Sequence, residues 1–192
     1  MSDILNAIGN TPIVKLKNIV PIGCGEIYVK LEAFNPTGSK KDRMALSMIL
    51  GAEKRGILKK GMTVVEYSGG STGAGLAFVC SLKGYNFRLV TADVFGKEKI
   101  DLMRSLGANL EIIKSSDGKI NKELITKMIK KADQISKEPN TFFTNQLDNT
   151  DVIEGFVPLG EEILDQLIIL GNDWMDGKMN EDDITIVVIK KI

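Results

Sequence analysis

Strand-like and helix-like segments alternate through the middle of the chain, and this alternation limits the fold more than any other feature. Three short segments rich in β-branched residues predict strands: Met62–Tyr67, Asn86–Thr91 and Asn109–Lys114. The segments between and after them have apolar residues at helical spacing: Ala74–Lys83, Lys97–Leu106 and Asn121–Lys137. A repeated strand–helix order predicts an α/β fold, with a parallel sheet covered by helices on its faces.

Outside this region the pattern is less regular. Upstream elements are expected at four places: a short helix from Ser2 to Gly9, strands at Thr11–Leu16 and Glu26–Glu32, and a helix at Lys41–Lys54. The alternation stops near residue 166, and an acidic turn at Asn180–Asp183 then leads into one strand-like run, Ile184–Ile189. We therefore divide the chain into residues 1–166 and a divergent tail, 167–192.

Composition removes several classes of function. The 192 residues include no histidine, which excludes histidine-based nucleophile systems and histidine-bound zinc. Basic and acidic residues balance at 25 each, so no net field favours nucleic acid. Two cysteines, Cys24 and Cys80, are too few for a disulfide framework. No secretory signal or membrane-spanning run is visible, and we expect a cytoplasmic protein without nucleic-acid, membrane or metal partners.

The segment Asn35–Arg43 is the first with chemical character, because a tight Pro-Thr-Gly turn precedes the start of a predicted helix. Lys41 then lies in the first helical turn, at the positive end of the helix dipole. This setting, with Lys40 and Arg43 close by, favours the neutral amine and hence a nucleophile. The alternative is that these charges only solvate a helix start, and the segment alone leaves both interpretations open.

The second such segment is Glu66–Gly73, between a predicted strand and a predicted helix. Its glycines expose backbone N–H groups next to a helix N-terminus, which suits a carboxylate or a phosphate. Open α/β sheets place ligands at this end of their strands. The segment has neither the Walker spacing nor the dinucleotide fingerprint. Taken alone, a plain turn is an equally good interpretation.

Together the two segments resemble the cysteine synthase family of pyridoxal-phosphate enzymes, whose lysine motif is Pro-x-Gly-Ser-x-Lys-x-Arg. Other stretches are similar to the same family over about residues 3–166: Ile8–Ile13, Tyr28–Glu32, Glu66–Ala77, Lys97–Lys99, Gly107–Ala108 and Asn145–Asn149. The resemblance implies the fold of the tryptophan synthase β-subunit-like pyridoxal-phosphate enzymes. It also implies pyridoxal 5'-phosphate as cofactor, and β-elimination or β-replacement on an activated serine or cysteine with a thiol or sulfide.

The resemblance also assigns roles to individual residues. Lys41, rather than Lys40, would form the Schiff base with the cofactor and remove the substrate α-proton. The substrate carboxylate would contact a set of loop residues and one later side chain: Ser68, Gly69, Ser71, Thr72 and Gln146. Ser71 stands where the family commonly has an asparagine that hydrogen-bonds the cofactor ring, and would do so from a shorter arm.

The resemblance spans about the first half of the family pattern, so the fold is expected in truncated form. The later loop that binds the cofactor phosphate, and the residue that meets the pyridine nitrogen, have no counterpart in this sequence. We therefore expect the 192-residue chain alone to be a poor enzyme that self-associates, for example as a homodimer, or binds a partner. A non-catalytic half-enzyme remains the alternative. A third interpretation rests on Glu181–Lys190, which resembles the closing strand of bacterial metal-dependent serine/threonine phosphatases.

Overall fold

A computed structural model describes residues 3–21 and 24–175 of the chain. Its strands are β1 (Ile13–Lys15), β2 (Tyr28–Lys30), β3 (Thr63–Tyr67), β4 (Asn86–Ala92), β5 (Asn109–Ile113) and β6 (Thr141–Phe143). The last four form a parallel sheet in the order β5-β4-β3-β6, whereas β1 and β2 form a separate antiparallel pair. The predicted α/β class and parallel sheet are thus confirmed.

The helices are α1 (Lys41–Lys54), α2 (Ser71–Lys83), α3 (Lys97–Ser105), α4 (Lys122–Ser136), α5 (Asp151–Glu154) and α6 (Val157–Met175). The bounds of α1 are those predicted, and α2 ends as predicted at Gly84, which has a left-handed φ of 74°. However, α2 begins at Ser71 rather than at Ala74. The reason is that the Ala74 N–H already donates to Gly70 O at 3.1 Å, so the helical hydrogen bonds start within the glycine loop.

The sheet separates two apolar layers. Side chains of α1, α2 and α3 pack on one face, with Met44, Met48, Leu76 and Met103 completely or almost completely buried. On the other face, α4 buries Leu124, Met128, Ala132 and Ile135 against Val65 and Val90. The helical spacing of the apolar residues in this helix predicts one face of Leu124, Ile125, Met128, Ile129 and Ala132. Of these, Ile129 is 38% exposed, because it lies beside the residues that contact the sheet. Cys80 is buried in the first layer, and Cys24 is exposed.

The N-terminal elements are shorter than predicted. Asp3 caps a 3₁₀ helix, Ile4–Ala7, by accepting a hydrogen bond from the Leu5 N–H at 3.0 Å. The predicted cap, Ser2, lies outside the described residues. The short β1 and β2 are consistent with a two-stranded ribbon that has no third strand within the described part of the chain.

The C-terminal helix α6 runs across residue 166, where we placed the boundary of the tail. The predicted turn Asn180–Asp183 and strand Ile184–Ile189 lie outside the described residues, so the division of the chain stays a prediction. Within residues 3–21 and 24–175, no helix has both the length and the apolar character needed to cross a bilayer.

Candidate active site

The glycine loop lies at the carboxyl edge of the parallel sheet. β3 ends at Tyr67, residues 68–70 form the loop, and Ser71 is the first residue of α2. Register fixes the neighbours of this edge, since Tyr67 pairs with Val90 of β4 and Val65 with Phe143 of β6. The structure therefore places the predicted substrate loop where parallel strands of α/β proteins present ligands.

Ser68 shapes the loop with its side chain. The buried Oγ accepts hydrogen bonds from the N–H groups of Gly70 at 3.1 Å and Gly73 at 3.2 Å. Its own N–H donates to Val90 O at 3.0 Å, which ties the loop to β4. Ser68 thus fixes the loop conformation. The sequence analysis predicts only a contact between Ser68 and the substrate, and it did not predict this structural role.

Three N–H groups of the same loop remain without acceptors. Among the described residues, no acceptor bonds the N–H of Gly69, Ser71 or Thr72, and the exposed Ser71 hydroxyl has no hydrogen-bond partner either. The first N–H groups of a helix carry its positive partial charge. Unpaired donors that converge at a helix N-terminus are suited to bind an anionic group such as a carboxylate.

Gln146 reaches this loop from a distant part of the chain. Its Oε1 accepts a hydrogen bond from the Thr72 hydroxyl at 2.7 Å, and its Nε2 donates to Tyr67 O at 3.1 Å. The predicted contact residues Thr72 and Gln146 are therefore brought together, although 74 positions separate them. The segment is delivered by β6, a strand that the sequence analysis missed because its three residues are too few to show a periodic pattern.

Glu66 is a further polar residue at this edge, and its side chain is completely buried. Its carboxylate accepts hydrogen bonds from the Thr144 hydroxyl at 2.8 Å, the Tyr67 N–H at 2.8 Å and the Gln146 N–H at 2.9 Å. Burial raises the pKa of Glu66, and these three donors act in the opposite direction. A carboxylate inside an otherwise apolar strand was the sequence signal from which Glu66 could have been identified as a residue of this site.

Lys41 begins α1, and its backbone lies against α2. Its N–H donates to Ser39 Oγ at 3.2 Å, and its carbonyl oxygen contacts α2 so closely that a Cβ at Gly75 would lie 3.2 Å away. The next residue, Asp42, is completely buried and accepts a hydrogen bond from the Thr37 N–H at 2.7 Å. This bond holds the turn that precedes the lysine. Burial raises the pKa of Asp42, against the hydrogen bonds from Thr37.

Arg43 corrects one part of the prediction. We expected its charge to favour the neutral amine of Lys41, but its guanidinium is paired with two carboxylates, Glu32 at 2.8 Å and Glu162 at 2.7 Å. Its charge is therefore compensated locally. Burial opposes ionisation of Glu162, but hydrogen bonds from Arg43, and then from Lys30, lower its pKa to about 2. The helix dipole at the start of α1 still favours the neutral amine of Lys41.

Phe95, between β4 and α3, and Lys99, in the first turn of α3, cover the loop and were not predicted as site residues. Phe95 packs directly on Gly69, where any Cβ would overlap its ring. The Lys99 ammonium lies 3.5 Å from the position that a Cβ of Gly70 would take, and this ammonium has no hydrogen bond or ion pair with another described residue. Gly69 therefore has to lack a side chain, and Lys99 adds positive charge next to the unpaired N–H groups.

This arrangement of lysine and glycine loop agrees with a known class of protein. The family model described as "Pyridoxal-phosphate dependent enzyme" matches residues 4–174, and the chain belongs to that family. Its curated relatives include the cysteine synthase of Staphylococcus aureus (strain N315), which is 41% identical over 149 residues. The match covers 78% of this chain and 46% of that protein.

Solved structures agree with this assignment. A hydrogen sulfide-producing enzyme from Fusobacterium nucleatum superposes with a TM-score of 0.79 and 36% identity, covering 88% of this chain and 53% of that one. An O-ureido-L-serine synthase gives a TM-score of 0.76 and 37% identity, covering 86% and 50%. The fold is thus that of the cysteine synthase-type enzymes, and the chain spans about half the length of the proteins it matches.

The residues present fit the part of a pyridoxal-phosphate site that they would supply. A lysine stands at the start of α1, next to α2. The Ser71 hydroxyl and the N–H groups of Gly69, Ser71 and Thr72, around the start of α2, have no partner in the described part of the chain. These are the groups needed to hold a carbonyl-bearing ring and the carboxylate of an amino acid.

Proposed function

We propose that this chain supplies the lysine and the substrate loop of a pyridoxal-phosphate-dependent site for β-elimination or β-replacement on a small amino acid. The substrate is an activated serine or a cysteine, and the incoming nucleophile is a thiol or sulfide. One observation carries the proposal: the N–H groups of Gly69, Ser71 and Thr72, in the loop and the first turn of α2, have no acceptor among the described residues, and Lys41 at the start of α1 lies against the same helix.

The loop binds the α-carboxylate of the substrate. Gly69, Ser71 and Thr72 each offer an N–H group without a competing acceptor, so a carboxylate gains these hydrogen bonds without breaking any within the protein. Thr72 and Gln146 are held together by their hydrogen bond and orient that end of the substrate. Phe95 packs on Gly69 and excludes water from one side of the loop.

Lys41 performs two tasks in this proposal. Its Nζ holds the cofactor covalently and afterwards accepts the α-proton of the substrate. Pyridoxal phosphate, when bound, takes up the electron pair that this proton leaves behind. A chain without histidine would need no second base for that step, because the Lys41 amine would itself accept the proton. Ser71 Oγ donates a hydrogen bond to the ring from the start of α2.

The similar proteins support the class of substrate and leave its identity open. Their names refer to cysteine, hydrogen sulfide and O-ureido-L-serine, which are a three-carbon amino acid, a sulfur nucleophile and a β-substituted serine. The shared chemistry is therefore exchange at the β-carbon of a small amino acid.

Reconstitution with pyridoxal phosphate tests the proposal. The wild-type protein should show a visible absorbance band that changes when cysteine or O-acetylserine is added. Lys41→Ala should lose the band, and the neighbouring Lys40→Ala should keep it. No band at saturating cofactor would contradict the proposal, and a band with no release of products would favour the alternative, a non-catalytic binding module.

Self-association is part of the same proposal. Large apolar side chains are exposed on α5 and α6: Ile153 (68%), Val157 (47%), Leu164 (50%), Ile168 (45%) and Ile169 (59%). Exposed apolar groups in such a series are typical of protein contacts. Sedimentation should therefore reveal a dimer or a larger species, and a monomer at every concentration would contradict this part.

A further inference from the structure

We infer that Glu66 is a positioning residue that holds Gln146 against the substrate loop. The inference deepens the proposed function. The expected effect of Glu66 on substrate affinity rests on that proposed function, whereas the hydrogen bonds that position Gln146 are a property of the folded chain alone. Glu66 lies at the end of β3 and does not reach the unpaired N–H groups that would meet the substrate. It acts through the segment 144–146.

The carboxylate joins two parts of the chain that are far apart in sequence. Glu66 Oε2 accepts hydrogen bonds from the Gln146 N–H at 2.9 Å and the Thr144 hydroxyl at 2.8 Å. Oε1 accepts from the Tyr67 N–H at 2.8 Å. The two bonds to Oε2 span 80 and 78 positions, so they fix the path of the chain after β6.

The same bonds determine where the Gln146 side chain points. With its backbone held by Glu66, the Gln146 carboxamide bridges the Thr72 hydroxyl and Tyr67 O. Asn145, between the two residues held, has a φ of 44°, in the left-handed region. Such a turn needs support from its surroundings to persist. Glu66 supplies that support from inside the protein, away from the substrate side.

Only a carboxylate satisfies all three donors. An amide at position 66 has one acceptor oxygen, whereas both Oε1 and Oε2 of Glu66 face a backbone N–H group. In either orientation of the amide, its NH₂ group meets an N–H donor. Glu66→Gln therefore keeps the size of the side chain and loses at least one of the two backbone hydrogen bonds.

Hydrogen exchange tests the positioning without cofactor or substrate. Loss of one hydrogen bond should raise the exchange rate of residues 144–149 by about tenfold in Glu66→Gln, while α4 keeps its protection. Thr144→Val removes one donor and keeps the shape, so it should give a smaller rise in the same segment. Thr91→Val is the matched control, since Thr91 is equally buried and its hydroxyl has no partner within residues 3–21 and 24–175.

The outcomes separate cleanly. Exchange that stays unchanged at 144–149, or rises equally in α4, would overturn the inference. If Glu66→Gln does not fold, the difference between Thr144→Val and Thr91→Val decides: a rise confined to the first variant supports the inference, and equal rates overturn it.

A double-mutant cycle then tests the effect on substrate. Calorimetric affinity of the cofactor-loaded protein for L-alanine, an amino acid without a leaving group, should fall about tenfold in Glu66→Gln. In the Gln146→Ala background, Glu66→Gln should cause no further loss, because Glu66 acts through Gln146. Equal losses in both backgrounds would overturn the inference. If the wild-type protein binds no cofactor, the proposed function fails, and the exchange experiment still decides the role of Glu66.

Discussion

The cluster around Arg43 and the glycine loop before α2 are both polar regions in contact with the core, and they differ in how completely their hydrogen bonds are used. The Nε and both Nη atoms of Arg43 donate to the carboxylates of Glu32 and Glu162 at 2.7–2.9 Å. Lys30 adds a donor to Glu162 at 2.7 Å. In the loop, by contrast, the N–H groups of three residues have no acceptor among the described residues.

This difference separates a structural cluster from a binding site. Buried charges are tolerated when they are paired, and a cluster that has used its donors has little left to offer a ligand. The Arg43 cluster joins the start of α1 to β2 and α6, and we assign it to stability. Donors left unpaired at a helix N-terminus stabilise nothing until a ligand arrives, and we assign the loop to binding.

The largest expected effect follows from removing the centre of the cluster. Arg43→Met keeps much of the side-chain volume but leaves two partly buried carboxylates without their partner. The free energy of unfolding, measured with urea, should fall by about 3–5 kcal/mol. The exposed pair Arg104–Asp101 offers a control, and Arg104→Met should cost much less. If Arg43→Met and the wild type are equally stable, the assignment of the Arg43 cluster to stability, and of the loop to binding, is wrong.

Acid should weaken the cluster in a defined pH window. The pKa of Glu162 is about 2 in the folded protein, against an ordinary value of 4.5. A folded-state pKa below the unfolded one contributes stability above about pH 4.5, and that contribution disappears as the pH falls towards 2. The full contribution is at most about 3 kcal/mol. The free energy of unfolding in urea, measured between pH 6 and pH 3, should show the start of this loss. In Glu162→Gln the free energy should depend less on pH. The same pH dependence in the wild type and in Glu162→Gln would contradict the pairing of Glu162 with Arg43.

The smallest expected effect concerns the loop. Thr72→Val preserves shape but removes the hydroxyl that donates to Gln146. Amino-acid affinity, measured by calorimetry on the cofactor-loaded protein, should fall about tenfold, the equivalent of one hydrogen bond. The urea midpoint should change little. If Thr72→Val instead lowers the urea midpoint and leaves the amino-acid affinity unchanged, the loop contributes to stability, as the Arg43 cluster does.

Local features of the fold were predictable from sequence. The bounds of α1, the left-handed glycine after α2 and the three strands of the alternating region follow from residue patterns within about fifteen positions. That Lys41 and the loop serve one site is a prediction from resemblance to a family rather than from such patterns, and the structure shows the Lys41 backbone against α2. Lys41 and the loop both lie at the start of a helix, and helix starts have short and strong sequence signals.

Long-range pairing was not predictable. Arg43 and Glu162 are separated by 119 positions, and nothing in the local sequence indicates that they meet. For this reason the charge of Arg43 was wrongly expected to act on Lys41. Glu66 shows the same difficulty, because its partner Gln146 is 80 positions away. The partners of such buried polar residues are therefore hard to predict from a sequence pattern and become visible only in the structure.

The central claim is that Lys41 holds the cofactor next to the loop, and borohydride trapping tests it most directly. Reduction of the protein with pyridoxal phosphate, followed by peptide mass mapping, should place the modification on Lys41. Lys40 precedes it by one residue and Lys99 lies over the loop, so both serve as internal controls and should remain unmodified. Modification of Lys40 or Lys99 in place of Lys41, or of many lysines equally, would contradict the claim.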